Sequence, residues 1–473
     1  MGKRPHVLAV PFPAQGHVGP LMKLCRLIAN HGIKVTFVNT QHIHNRILAA
    51  SLMLSDHDMD DKEEDNMVLT SIPDGLAPDD DRNDYFKLVE GLRSTMTGSL
   101  TDLIDKINCS NSSDDEKVSC IVADTSVGWI LEVAERVGAE PVGFSPTAAA
   151  SMALTLHIRN LLERGNLDTN GNLVGSNVLR LSENIPSWRN DELPWSFHDL
   201  KVQQLLFEFG LSSEKACNQA KWLLYNTFYE LESSACDMNP KLLPIGPLLY
   251  TSNCKSAGHF SSFRREDTSC LSWLNEKPIA SVIYISFGTS TVFSQLQLDE
   301  LALGLELSGR PFLWVVRSDL VNGLRAENSN SNSNRFLERV AGIGKIVEWA
   351  PQEKVLSHPS VACFLSHCGW NSTLEGLSRG VPFLCWPYFA DQFYNQKYIC
   401  EKWKIGLRID ACENGIRTRH EITTKIQLLL SDEGLKANAL KLKKMAEESV
   451  DHGGSSSKNL GNFIHHLKEC NKE

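Results

Sequence analysis

A chain of 473 residues exceeds what one hydrophobic core organises, roughly 250 to 300 residues, so two domains of similar size are expected. Apolar residues at 42% and charged residues at 22% are the balance of an ordinary globular protein and exclude a largely disordered chain. A formal charge of −10 argues against nucleic acid or anionic lipid as partners, because non-specific binding to either relies on clustered cations.

The amino terminus, MGKRPHVLAVPFPAQGH, opens with basic residues as a secretory signal does, but Pro11, Pro13, Gln15 and His17 interrupt the apolar run, and it reads as mature protein. No uninterrupted apolar stretch approaches the ~20 residues of a membrane helix. His6 stands where a myristoylation signal carries Ser or Thr, and the ending after Cys470 lacks the aliphatic residues of a prenylation box. No membrane insertion is expected. Thirteen cysteines, odd in number and without a CxxC pair, suggest reduced thiols and a cytoplasmic location, with no disulfide framework and no zinc site.

In chain order, an apolar run at residues 6–10 reads as a strand, a helical pattern follows at 18–30 with Gly32 as its stop, and a second strand occupies 35–38. Between the first strand and the helix, Gly16 permits a tight turn that leaves His17 at the start of the helix. The positive helix end disfavours protonation there, which suits an imidazole that must accept a proton. With fifteen histidines in the chain, a packing or capping histidine is the ordinary alternative. Further strands are expected at 118–122 and 141–144, with an amphipathic helix at 129–137 between them. Asp124 stands at the end of the first of these, as an N-cap or as a partner for a histidine.

Residues 243–247 and the Ser-, Gly- and Cys-containing stretch to about 265 have the composition of an interdomain linker. This places a boundary near residue 250 and predicts domains at 1–250 and 251–450, with 451–473 as a closing helix packed back on the first domain. The Ser/Asn/Asp-rich stretches 108–117 and 326–334 are expected to be surface loops. The second half repeats the grammar: a strand at 281–287, a turn at Gly288, a helix at 296–307 stopped by Gly309, and a strand at 312–316. Two doubly wound parallel-sheet domains follow.

From Trp349 to Gln392 the sequence is WAPQEKVLSHPSVACFLSHCGWNSTLEGLSRGVPFLCWPYFADQ. Residues 361–365 form a strand, and Gly369 opens a helix whose first turn holds Asn371, Ser372 and Thr373. A helix amino end at the carboxyl end of a parallel strand is where an open α/β sheet binds phosphate. His367, at the strand end, is placed to donate to a diphosphate. Ser372-x-x-Glu375 also fits a capping box. Trp349 and Gln352 are suited to meet a base, and Asp391 with Gln392 to grip sugar hydroxyls; core packing for the indole and capping by Asp391 are the alternatives.

These 44 residues resemble the signature box of plant family 1 UDP-glycosyltransferases, and the likeness continues in SVIYISFGT at 281–289 and FLWVVR at 312–317. The resemblance implies a GT-B fold, two Rossmann-like domains facing across a cleft, and a metal-free inverting sugar transfer. By the same resemblance Trp349 would stack on uracil, with Ala350 beside it, Gln352 would meet the uridine and Glu375 the ribose. Gly288, Thr289, His367, Asn371 and Ser372 would border or hold the diphosphate, and Trp370, Asp391 and Gln392 would contact the sugar, with Gln392 favouring UDP-glucose. Cys363 and Ser366 stand where Gly and Thr are commoner, a difference expected to change packing and not chemistry. His17 would be the general base and Asp124 its orienting partner, acting on a small-molecule acceptor; Thr125, Ser126, Val127 and Gly128 stand where the family often carries bulkier residues, a difference expected to bear on acceptor size more than on catalysis. Residues 84–92, 144–156 and 185–195 offer an apolar lining for such an acceptor, a phenolic, flavonoid or terpenoid. A monomer is expected. Rival readings are a nicotinamide oxidoreductase, for which PFPAQGHVGP lacks the GxGxxG, a binding protein without turnover, and an epimerase or phosphorylase.

Overall fold

The apolar run at the amino terminus forms strand β1 (His6–Val10), buried along its whole length. Its side chains alternate between two cores, Leu8 and Val10 in one and Val7 and Ala9 in the other, which requires a sheet covered on both faces. The computed structural model describes residues 4–52, 66–82, 84–110, 117–249, 266–289, 291–317 and 333–469. Within them β2 (Lys34–Thr40), β3 (Met67–Ile72), β4 (Cys120–Asp124) and β5 (Glu140–Ser145) precede a short antiparallel hairpin of β6 (Val178–Leu179) and β7 (Trp188–Arg189), and β8 (Trp222–Tyr225) and β9 (Leu242–Pro244) follow. The main sheet runs β3-β2-β1-β4-β5-β8-β9, and its pairs are parallel.

Helix Gln15–Asn30 covers one face through Val18, Leu21, Met22, Cys25 and Ile28. Helix Tyr85–Ser110 covers the other through Leu88, Leu92, Met96, Leu100 and Ile104, a spacing of four that keeps one apolar stripe toward the sheet. The first helix begins at Gln15 and not at Val18 as the periodicity suggests, because apolar spacing does not register the polar first turn. His17 therefore lies inside that first turn.

The chain divides into two compact units, 1–264 with 448–473, and 265–447. The predicted boundary near residue 250 lies outside the described residues. So does most of the two expected loops; their ends, 108–110 and 333–334, belong to helices Tyr85–Ser110 and Ser333–Val340. The terminal helix Ser455–Glu469 is part of the first unit. Phe463, Ile464 and Leu467 enter its core, the Phe463 ring meets Trp222 edge-on at 5.6 Å, and Asn459 donates to the Pro244 carbonyl at 2.8 Å.

The second unit holds β10 (Val282–Ser286), β11 (Phe312–Val315), β12 (Gly344–Val347), β13 (Val361–Ser366), β14 (Phe383–Cys385) and β15 (Gly406–Arg408). They form a parallel sheet in the order β12-β11-β10-β13-β14-β15. Helix Gln295–Ser308 starts at Ser294, whose hydroxyl accepts the Gln297 amide, and stops at Gly309 with φ +62°, the left-handed terminus a glycine adopts at least cost. In each sheet the strand order reverses once beside the first strand, between β1 and β4 and between β10 and β13. Such switch points open a crevice at the carboxyl ends of the strands.

Candidate active site

At the switch point of the first sheet, His17 follows β1 and Asp124 ends β4. His17 Nδ1 lies 2.8 Å from Asp124 Oδ2. The carboxylate is fully buried, while a quarter of the histidine side chain, 26%, stays exposed. Asp124 Oδ1 accepts the Ser126 amide at 2.8 Å and caps the short helix Thr125–Ile130. Capping and pairing are thus not alternatives here, since each oxygen performs one of them. A carboxylate only accepts, so Nδ1 carries the shared proton and Nε2 is left as the basic nitrogen.

An aromatic shell surrounds the pair. The Phe12 ring meets His17 edge-on at 5.2 Å, Tyr85 and Phe209 lie 5.8 and 6.3 Å from Phe12, and Trp129 meets Phe209 at 6.5 Å. The Arg93 guanidinium stands 5.6 Å from the Trp129 ring centre. Burial and the Asp124 charge push the Tyr85 phenol well above its ordinary value, so it stays protonated. Of the three segments expected to line an acceptor, 84–92 reaches His17 through Tyr85 and Phe12. Residues 144–156 leave β5 and form helix Ala149–Thr155. In 185–195, Trp195 packs on Phe207 at 5.1 Å and donates to the Gly171 carbonyl. The sequence gives no sign that Phe12 meets His17 or that Phe209, Trp129 and Arg93 extend the cluster beyond it, because the three rings look like ordinary core residues and Arg93 like an ordinary surface charge.

At the switch point of the second sheet, His367 follows β13 between two glycines. A Cβ at Gly288 or Gly369 would come within 2.8 or 2.4 Å of His367 Nε2, so both must lack a side chain for the ring to sit there. Burial pulls the imidazole down to about 4, opposed in part by the Ser286 backbone, and Nδ1 has no partner of good geometry among the described residues. His367 is therefore neutral near pH 7. Thr289, after β10, offers its carbonyl to Arg317 Nη1.

Helix Trp370–Ser378 begins directly after Gly369, which caps it without a side chain. Ser372 consequently lies in the third helical position and forms no capping box. Its hydroxyl accepts Gln352 Nε2 at 2.9 Å, and the same amide reaches Glu375 Oε2 at 2.7 Å. Tyr284, a β10 residue that the sequence did not single out, donates its hydroxyl to Gln352 Oε1 at 3.0 Å, which fixes the amide orientation. Asn371 occupies the helix's first turn. Trp349 and Ala350 lie in the loop after β12, and the Trp349 carbonyl accepts the Asp267 amide at 2.9 Å. Trp370 is buried, its ring centre 6.4 Å from Trp403.

Asp391 and Gln392 follow β14. Asp391 makes no side-chain cap; its Oδ2 accepts Asn395 Nδ2 at 3.0 Å. Gln392 Oε1 accepts the amides of Tyr388 and Phe389 at 2.8 and 3.2 Å, which fixes the orientation of its amide group. The Ser366 hydroxyl accepts the Cys368 amide at 3.1 Å, and Cys363 is buried in the core. Among the described residues no group of three or more His, Cys, Asp or Glu side chains is arranged to hold a metal ion, and no helix is long and apolar enough to cross a membrane.

Residues 227–450 match the UDP-glucoronosyl and UDP-glucosyl transferase family, and residues 5–168 the glycosyltransferase N-terminal domain family. UDP-glycosyltransferase 83A1 of Arabidopsis thaliana is 39% identical over 469 residues, covering 98% of this chain and 97% of that one. The chain belongs to the plant family 1 UDP-glycosyltransferases. Among solved structures of the family, Os79 from O. sativa in complex with UDP has a TM-score of 0.77 at 28% identity over 98% of this chain and 100% of that one. A UDP-glucose: anthocyanidin 3-O-glucosyltransferase in complex with UDP has a TM-score of 0.79 at 25% identity over 99% and 100%. The fold is GT-B and the protein is a UDP-dependent glycosyltransferase. The two switch points carry different groups: a histidine paired with a carboxylate in the first unit, and a helix amino end with neutral and acidic hydrogen-bonding groups in the second.

Proposed function

We propose that the enzyme transfers glucose from UDP-glucose to a hydroxyl of a small apolar acceptor, a phenolic, flavonoid or terpenoid, in one in-line displacement that inverts the anomeric centre. The observation that carries this reading is the bond between His17 and the fully buried Asp124. A protonated hydroxyl is a poor nucleophile, and an imidazole whose Nδ1 is committed to a carboxylate presents Nε2 as the base. As the oxygen attacks the anomeric carbon, His17 takes its proton and Asp124 balances the resulting imidazolium.

The departing UDP gains negative charge, which the amino end of helix Trp370–Ser378, neutral His367 and Ser372 stabilise as donors. No metal takes part in these steps. The Gln392 Nε2 group and the Asp391 carboxylate supply a donor and an acceptor for neighbouring sugar hydroxyls, as glucose requires. A carboxylic acid acceptor is already ionised near neutral pH, so it depends less on His17.

The test is UDP release across an acceptor panel with UDP-glucose, UDP-galactose and UDP-glucuronate, with the product's anomeric configuration read by NMR. UDP-glucose is expected to be turned over about tenfold or more faster than the others, giving the inverted glycoside. Turnover with UDP-glucuronate alone overturns the roles given to Trp370 and Gln392, and the absence of any acceptor-dependent release with all three donors overturns the reading as a whole.

A further inference from the structure

Asn395 lies within helix Gln392–Lys397 and is fully buried. Its Nδ2 group donates twice, to the Cys368 carbonyl at 2.9 Å and to Asp391 Oδ2 at 3.0 Å. Both partners accept only, so turning the amide over would set its oxygen against a carbonyl and a carboxylate. The orientation is therefore fixed, and it leaves Oδ1 buried without a partner among the described residues. A folded chain rarely leaves a buried acceptor unsatisfied.

Both bonds end beside strained backbone. Cys368 has φ +62° and Ala390, next to Asp391, has φ +54°, a left-handed conformation that residues other than glycine adopt at some cost. Ser366 Oγ accepts the Cys368 amide and Asn395 takes its carbonyl, so the turn from His367 into helix Trp370–Ser378 is held on both sides. Through its second bond Asn395 also sets the direction of the Asp391 carboxylate. One buried amide thus ties the loop after β13 to the loop after β14.

We propose that Asn395 is a positioning residue for the sugar end of the donor, acting through Asp391 and the Cys368 turn without touching the ligand. The inference rests on the donor-site reading of Asp391 given above. It predicts a loss confined to sugar transfer, because the groups assigned to uracil and ribose, Trp349, Gln352 and Glu375, make no bond with Asn395.

The experiment compares Asn395→Ala, Asn395→Asp and Asn395→Ser, each alone and with Asp391→Ala, by steady-state kinetics with UDP-glucose and by calorimetric titration of UDP. Asn395→Ala is expected to lower kcat/KM about tenfold with the Kd for UDP changed less than about twofold. On the Asp391→Ala background it should cost less than about threefold, since residues acting as a unit are non-additive. Asn395→Asp, similar in shape but an acceptor, should be worse than Asn395→Ala, and Asn395→Ser, which keeps one hydroxyl donor on a shorter side chain, should lie between wild type and Asn395→Ala; the Ser variant carries the test where the Ala variant does not fold. Losses that multiply across the double variant, or a fall in UDP affinity as large as the fall in kcat/KM, overturn the proposal. If Asp391→Ala alone leaves kcat/KM unchanged, the donor-site reading of Asp391 fails, whatever Asn395 does to the loops.

Discussion

His367 illustrates how a single side chain can be tuned by what surrounds it. Its ring fits only because positions 288 and 369 are glycine, and its burial holds the folded imidazole near 4 against an ordinary 6.5. Between those values the unfolded chain binds a proton that the folded chain does not, so stability falls as pH drops from about 6.5 toward about 4 and is unaffected by this group above that window. The slope is at most about 1.4 kcal/mol per pH unit. Urea unfolding across this range should show a shallower fall for His367→Gln than for the wild type, and equal slopes would contradict the assignment. Gly369→Ala puts a methyl into the ring's place with no backbone strain of the left-handed kind. It is expected to weaken UDP binding by about 1–3 kcal/mol, measured by titration, with Gly288→Ala at least as severe because Gly288 also has φ +69°.

At the scale of elements, Glu232 connects what leaves β8 to what leaves β5. Its buried carboxylate accepts the Ala149 and Ala150 amides at 2.9 and 3.1 Å and the Thr227 hydroxyl at 2.7 Å, so it satisfies the start of helix Ala149–Thr155 from a distant segment. Glu232→Ala strands all three donors and should cost about 2–4 kcal/mol of stability, read as a lowered unfolding midpoint; a cost within about 0.5 kcal/mol would show the helix start is held otherwise. Phe463→Ala removes a fully buried ring of the terminal helix and should cost about 3–5 kcal/mol while leaving UDP affinity, a property of the second unit, unchanged. The elements themselves were legible because buried parallel strands are near-continuous apolar runs and glycine marks helix ends: β1 and the stop at Gly309 lie where the pattern puts them. Starts were less legible. A first turn such as Gln15 to His17 is polar, and the capping box that Ser372-x-x-Glu375 also fits does not form because Gly369 caps the helix three residues earlier.

For the molecule as a whole, length and apolar grammar indicate two α/β units; the structure has compact units at 1–264 with 448–473 and at 265–447, the terminal helix belonging to the first. The donor segment was legible because its groups are consecutive in one stretch of chain. Tyr284, Glu232 and the rings around His17 were not, since each is defined by a partner far away in sequence: Phe12 meets Phe209, and Tyr284 meets Gln352. Asn395 lies only four residues from Asp391, a helical spacing that brings side chains together, and that spacing was the one available signal for it.

The proposed mechanism divides the work: a base in the first unit activates the acceptor while the second unit binds the donor. The rate of glucose transfer from UDP-glucose to a phenolic hydroxyl by His17→Ala, with UDP binding titrated on the same preparation, decides between this division and its alternatives. A rate lowered by about 10²–10⁴-fold with an unchanged Kd for UDP is expected; transfer at the wild-type rate would rule out His17 as the base.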